Sequence, residues 1–529
     1  MSRSGTSRMA RLRARPGAVL LAAALAAALH ASQACAQTGG AAPGEVPLAP
    51  PPPRVAPGTP AKVPLGEPRR PQLLPAQAAA YAVDRVLARG GTVASPVPDG
   101  WQPLADPVIT GAAEPTGWHY RVEPATADGV RVFATIQAAV EQAHRDVLAG
   151  RHGGAERLYI GISPGLYEEV VVVPDGPLPI TLWGRGDAPD AVRLQATLYS
   201  RMPGALYAQR LAPVLDPARH ADIRAPHEAC RQRERIGTDC AVVLRVRGHG
   251  FQLRNLTVAN RYGQDQPGNL HQALALTVDG ADRVHLEQVH LLGHQDTLFL
   301  RNAPDPAGGA NARLARVLVH RSLVAGDVDF IFGDAVAVFL RSEIRWVGGL
   351  RGARSGYVGA PSTDIAQPYG FVFEDCDFTS DGLGLAARRQ VHLARQWFYG
   401  ARCSPYGAGW ATCLPEPALV AAAASTVVPA SALRAVGKMV VLRSRLGRHI
   451  HPTEPWAPWN RAPDSPAYRP AQFDHADFTR HLAAAGHDIR AWRWPQGAPA
   501  EVPAELQPWL AEYRNVPLAW RVEEVDNAR

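Results

Sequence analysis

Through the middle of the chain, short apolar runs return about every 10 to 15 residues: "RLYIGI", "EEVVVVP", "PITLWG", "AVVLRVRG", "FQLRNLTVAN", "QALALTVDG", "DRVHLEQVHLLG", "ARVLVHRSLVAG", "VAVFLRSEIRWVGG", "GFVFEDCDFTS" and "KMVVLRSRLG". Their β-branched content and turn-like boundaries predict strands. No helical period separates them, which excludes a doubly wound sheet and leaves a sandwich, a barrel, a propeller or a β-solenoid. Four units, "RNLTVAN", "EQVHLLG", "HRSLVAG" and "EDCDFTS", are near-equivalents: a polar pair, an apolar strand, then a small turn. Such self-similarity is what stacked coils require.

Just before the first strand, "FATIQAAVEQAHRDVLAG" places Phe133, Ile136, Val140, Ala143 and Val147 on one helical face and stops at Gly150. A helix there would cover the open end of the stack and blunt an aggregation-prone edge. The expectation is an all-β coil stack with an N-terminal capping helix and with loops inserted at 196–240, 301–313 and 396–436.

Residues 1–36 change the picture of where this fold works. Five arginines and no acid precede an Ala/Leu run from Ala18 to Leu29, and Ala34-Cys35-Ala36 follows, the order of a signal peptide. The run falls short of the ~20 residues that span a bilayer. A lipid anchor at Cys35 is the alternative to cleavage after Ala36. Residues 37–115 are a Pro/Ala/Gly-rich linker and N-terminal extension, with "PLAPPPPRVAPGTP" unable to bury a core. Order signals begin near Thr116, so 116–529 is expected to be the folded domain. Without the signal the formal charge falls from +7 to about +2, which removes a nucleic-acid reading.

In an oxidising compartment, Cys230 with Cys240 and Cys403 with Cys413, each pair ten apart, are candidates for local disulfides. Neither pair has zinc spacing, and no metal is expected. Cys376 in "FVFEDCDF" reads as a buried structural thiol. His449 and His451 lack a third ligand and read as an exposed strand end. Asn255, in an Asn-Leu-Thr triplet, reads as a buried strand residue and not a glycan acceptor. The tryptophans at 456, 459, 492, 494 and 509 read as packing of a C-terminal wrap.

The candidate chemistry lies in "GHQDTLFL". Gln272 and Gln295 are one coil apart, and so are Asp296 and Asp329 once the Pro/Gly-rich insertion between them is discounted. One face of the stack then carries two amides and two carboxylates. Adjacent carboxylates split into an acid and a base or nucleophile. Amide N–H groups beside them suit a developing oxyanion, and the set suits acyl transfer from an ester. The alternative is structural: aspartates capping turns and glutamines forming an amide ladder.

"FATIQAAV", "LYIGISPGLYEEVVVVP", "ITLWGRG", "LRNLTVAN", "QALALTVDG", "GHQDTLFL", "GDVDFIFG" and "LARQW" follow the order found in the pectinesterase (pectin methylesterase) family, from about Phe133 to "LAEYRNV". The chain resembles in particular the larger bacterial envelope-associated members. That resemblance implies a right-handed single-stranded parallel β-helix and hydrolysis of methyl esters of galacturonate residues in pectin, with no cofactor and no nucleic acid, by a monomer.

It also implies roles. Asp329 would be the nucleophile and Asp296 the general acid/base, with Gln272 and Gln295 at the oxyanion. Arg395 would orient Asp329, and Trp397 and Phe330 would bind substrate. "LARQW" and "GYVGAPSTD" depart from the usual forms, and His294 and Phe299 stand where many relatives have tyrosines. An acyl thioesterase on the same site, or a non-catalytic envelope polysaccharide-binding protein, are the rival readings.

Overall fold

The computed structural model describes residues 69–93, 95–111, 114–115, 117–266, 271–304, 312–353, 355–382, 389–399, 404, 406, 434–460, 468–484 and 508–518. Residues 1–68, the Cys403–Cys413 pair, Trp492 and Trp494 lie outside them.

Three long parallel sheets, of eight, eleven and nine strands, wrap one core. The chain visits them in turn, and each strand pairs with its counterpart in the coil before and the coil after. This is the expected parallel β-helix. The eight-stranded front sheet runs β1 (Val171–Val173), β2 (Val242–Val246), β3 (Leu274–Asp279), β4 (Leu298–Arg301), β5 (Val328–Gly333), β6 (Gly356–Pro361), β7 (Val391–Arg395) and β8 (Trp456–Ala457), in that spatial order.

The units seen in the sequence are corners between the eleven- and nine-stranded sheets. Each turns on a single left-handed residue: Asn255, Gln288, Arg321, Arg341, Asp375, Arg443 and Arg514, with φ between +48° and +54°. The following residue points inward and builds a ladder. Backbone N–H of Val289 donates to Ser322 Oγ, Ser322 to Ser342 Oγ, Cys376 to Ser444 Oγ and Ser444 to Asn515 Oδ1, at 2.9–3.2 Å. Cys376 belongs to this ladder, fully buried, and burial pushes its thiol up to about 12. Asn255 is therefore a half-buried turn residue and not a buried strand residue; its amide donates to the carbonyls of Gly184 and Gly186.

The capping helix α1 (Ile136–Leu148) forms as expected. Thr135 accepts from Ala138 N, and Glu169 accepts from the N–H groups of Ile136 and Gln137, so three of the four N–H groups orphaned at a helix start are satisfied. Ile136, Ala139, Val140 and Ala143 close the core.

Order begins earlier than composition suggests. Leu73, Ala78, Tyr81, Val86, Leu87 and Val93 pack on Leu318, Val338, Val372 and Val440 of the eleven-stranded sheet. Arg316, fully buried, holds this strap through Asp99 (2.7 Å), Asp282 (2.6 Å) and the Leu87 carbonyl (2.8 Å). The strap's helices are six and five residues long, too short to leave a period in the sequence. Among the described residues no helix is long and apolar enough to cross a membrane.

The insertion before β2 carries α2 (Gly204–Arg210) and α3 (Ala221–Arg231), has its own small core and is closed by the expected Cys230–Cys240 disulfide.

Candidate active site on the front sheet

β4 and β5 pair Leu298 with Ile331, so Asp296 and Asp329 share one register position on neighbouring coils. Asp296 N–H donates to the Val328 carbonyl at 3.1 Å, which ties the two turns together. Both aspartates hold left-handed backbones, at φ +65° and +49°. A left-handed residue breaks strand alternation, and the ladder between β5 and β6 shifts register between Val328 and Ile331. The kink puts the Asp329 carboxylate on the front face.

It also turns the next side chain inward. Phe330, expected to contact substrate, is fully buried in the core, against Gly326, where even a Cβ would lie 2.2 Å from the Phe330 Cβ. Phe332 takes the outward place instead, stacked on Phe299 at 4.4 Å and edge-on to Trp397 at 5.8 Å.

Arg395, at the end of β7, grips Asp329 with both arms: Nε to Oδ1 at 2.8 Å and Nη2 to Oδ2 at 2.6 Å. Such a fork fixes a carboxylate in direction as well as charge. The guanidinium is itself held between the rings of Tyr357 (4.0 Å) and Trp459 (4.1 Å). Among the described residues Asp296 has no such partner. Burial, and then the negative charge of Asp329, push its carboxyl well above the ordinary carboxylate range. The two carboxyls are thus distinguished by surroundings, one paired with a cation and one held toward its protonated form.

Gln272 immediately precedes Ala273, whose N–H donates to the Gln295 carbonyl at 3.1 Å, so the two amide-bearing turns are neighbours, half-buried on the same rim. Ser200 Oγ donates to Gln272 Oε1 at 2.6 Å. Beside them a cleft of about 560 Å³ is lined by the stacked rings of Tyr199, Tyr262 and His271 and by Arg201 and Arg235. Every candidate residue except Phe330 therefore lies on or beside this face.

Sequence reasoning missed Tyr357, Trp459, Phe332 and Ser200. Tyr357 belongs to the uninterpreted "GYVGAPSTD", and Trp459 to tryptophans taken as packing; Trp456 and Trp509 are indeed buried. His294 lies beneath the face, buried, with Nδ1 3.4 Å from Asp327. His449 is not exposed: it is 2% accessible, and burial pushes its imidazole down to about 3.

Among the described residues two clusters have metal-like donor sets, His285–Glu287–His320 and His144–His220–Asp222, both away from this face. In the first, burial pushes the Glu287 carboxyl up, but hydrogen bonds from His285 and His320 outweigh it and hold the group down at about 2.

Fold and face together define a β-helix protein with a paired-carboxylate centre on its front sheet. The pectinesterase family model matches residues 229–402. Pectinesterase B of Dickeya dadantii is 35% identical over 344 residues, 64% of this chain and 75% of that one. A pectinesterase of Ralstonia solanacearum is 31% identical over 391 residues, 74% and 84% of the two chains. The chain belongs to the pectinesterase family. Among solved structures, Escherichia coli YbhC superposes with a TM-score of 0.62 at 24% identity, covering 89% of this chain and 98% of that one. Rice weevil pectin methyl esterase does so with 0.59 at 21%, covering 85% and 98%. Both bear on the fold alone.

Proposed function

We propose that this protein removes methyl esters from galacturonate residues of pectin or methylated oligogalacturonates, with Asp329 as nucleophile. The observation that carries the reading is the unequal pair: Asp329 forked to Arg395, beside an Asp296 whose carboxyl is raised. Asp329, gripped by a guanidinium, is the carboxylate placed to attack, and Asp296, held toward its protonated form, has a proton to give.

An Asp329 oxygen attacks the ester carbonyl carbon, and the amide N–H groups of Gln272 and Gln295 stabilise the oxyanion. The bond to the methoxy oxygen breaks, Asp296 protonates it, and methanol leaves an acyl-enzyme anhydride on Asp329. Asp296, now ionised, takes a proton from water, whose oxygen attacks the acyl carbon. Collapse frees the galacturonic acid and restores both aspartates. Trp397, beside Phe332 and Trp459, offers a face for a sugar ring. In this reading residues 1–36 direct export, and 116–529 with the strap on its back form the catalytic unit.

The test is methanol release from highly methylated pectin and from short methylated oligogalacturonates, by wild type beside Asp329→Asn. Release by wild type alone is expected. No release from either substrate overturns the esterase reading and moves acyl thioesters to the front, and release by both proteins removes Asp329 from the mechanism.

A further inference from the structure

The insertion between the strand Val192–Ala196 and β2 reaches Gln272 through Ser200. Its N–H donates to the Gln272 carbonyl at 2.9 Å, and its hydroxyl donates to Gln272 Oε1 at 2.6 Å. Ser200 is itself clamped from behind. Its carbonyl accepts from Gly237 N at 2.8 Å, and Ile236 N donates to the Met202 carbonyl at 3.0 Å. These partners lie in the loop closed by Cys230–Cys240. The side chain is buried, so water does not compete for the hydroxyl.

A primary amide has two faces of similar shape and opposite polarity. Turned one way it offers two N–H donors to a developing oxyanion; turned the other it offers a lone pair that repels it. A hydroxyl that donates to Oε1 selects the first orientation. Gln295, by contrast, has no side-chain hydrogen-bond partner among the described residues, so its orientation is not fixed in this way.

We propose that Ser200 is a positioning residue: its hydroxyl holds the Gln272 amide with N–H outward toward the reacting ester, so that the disulfide-closed insertion is a working part of the catalytic face. The proposal rests on the reading of Gln272 as an oxyanion donor. A merely structural serine would affect folding or substrate binding, whereas a positioning serine acts on the chemical step.

The experiment uses the full chain with its disulfide intact and measures kcat and KM for methanol release from methylated pectin. Ser200→Ala is expected to lower kcat roughly 10-fold to 100-fold, below the ~10²–10³ of losing an oxyanion donor outright, with KM within about twofold. Ser200→Thr, which keeps the hydroxyl, is expected to restore most of kcat. Ser200→Ala combined with Gln272→Ala is expected to be no slower than Gln272→Ala alone, because groups that act as a unit are not additive.

A Ser200→Ala protein with wild-type kcat beside a crippled Gln272→Ala overturns the positioning role and leaves the oxyanion reading standing. So does a double variant showing the full product of the two losses. A Gln272→Ala protein with wild-type kcat overturns the oxyanion reading and the proposal with it.

Discussion

Asp296 and Asp329 occupy the same register position on adjacent coils, and each has its backbone in the left-handed region, at φ +65° and +49°. Outside glycine this conformation costs about 1–2 kcal/mol per residue. Elsewhere in the stack such residues make the sharp corner between two sheets. Here Asp329 interrupts β5 of the front sheet and Asp296 sits in the turn that enters β4, and both carboxyls are lifted out of the pleat while the following side chains, Thr297 and Phe330, go inward.

The raised Asp296 carboxyl carries a stability penalty with a defined pH dependence. Between about pH 4, where an aspartate ionises in the unfolded chain, and its higher folded value, the folded protein keeps a proton that the unfolded chain has lost. Stability therefore falls as pH rises through that window, by about 1.4 kcal/mol per unit. Asp296→Asn has no proton to lose. Urea melts are expected to show it level with wild type near pH 4 and increasingly more stable toward neutral pH, while its methanol release is lost.

Arg395→Lys tests the fork. A lysine keeps the positive charge but not two parallel donors, nor a flat surface between Tyr357 and Trp459. A fall in kcat of roughly 100-fold is expected, of the size seen when one preorganised electrostatic contact is removed. Initial rates at saturating pectin measure it, and a lysine variant with more than half of wild-type activity would contradict the role.

Arg316→Met tests the strap. It leaves Asp282 and Asp99 without their buried cation, and losing one partner of a buried pair costs about 3–5 kcal/mol. Thermal unfolding is expected to shift down accordingly. Limited proteolysis is expected to cut within 69–115 before the β-helix, because the strap's short helices lie outside the long parallel ladders that hold the stack.

Replacing both Cys230 and Cys240 by serine opens the insertion. So short a loop is worth about 2–3 kcal/mol, read as a lower unfolding midpoint. Hydrogen exchange is expected to speed up across 198–240 and to stay slow in β3 to β6, whose parallel ladders do not depend on the insertion.

What the sequence disclosed follows from which constraints repeat. Strands and coils were legible because each coil carries the same signal, and Asp296, Asp329, Gln272 and Gln295 because their spacing matched it. Phe330, assigned to substrate through the resemblance, lies in the core because Asp329 is left-handed, which nothing in "GDVDFIFG" announces. Tyr357 and Trp459 lie far apart in sequence, on the coils either side of Arg395, and meet only around it. Ser200 is an unremarkable serine until the insertion folds back on Gln272. The strap escaped notice because its apolar residues answer to the sheet beneath them and not to a period of their own.

The single-residue corners have a wider consequence. A turn made of one left-handed residue has no slack, and the seven that stack between the eleven- and nine-stranded sheets, from Asn255 to Arg514, keep seven successive coils in step. The longest connections lie at the other two corners: 197–241 enters β2, while 302–315, 396–438 and 458–509 leave β4, β7 and β8. All four long connections thus flank the front sheet. What borders the front sheet can therefore differ in length while these seven corners behind it stay fixed in register.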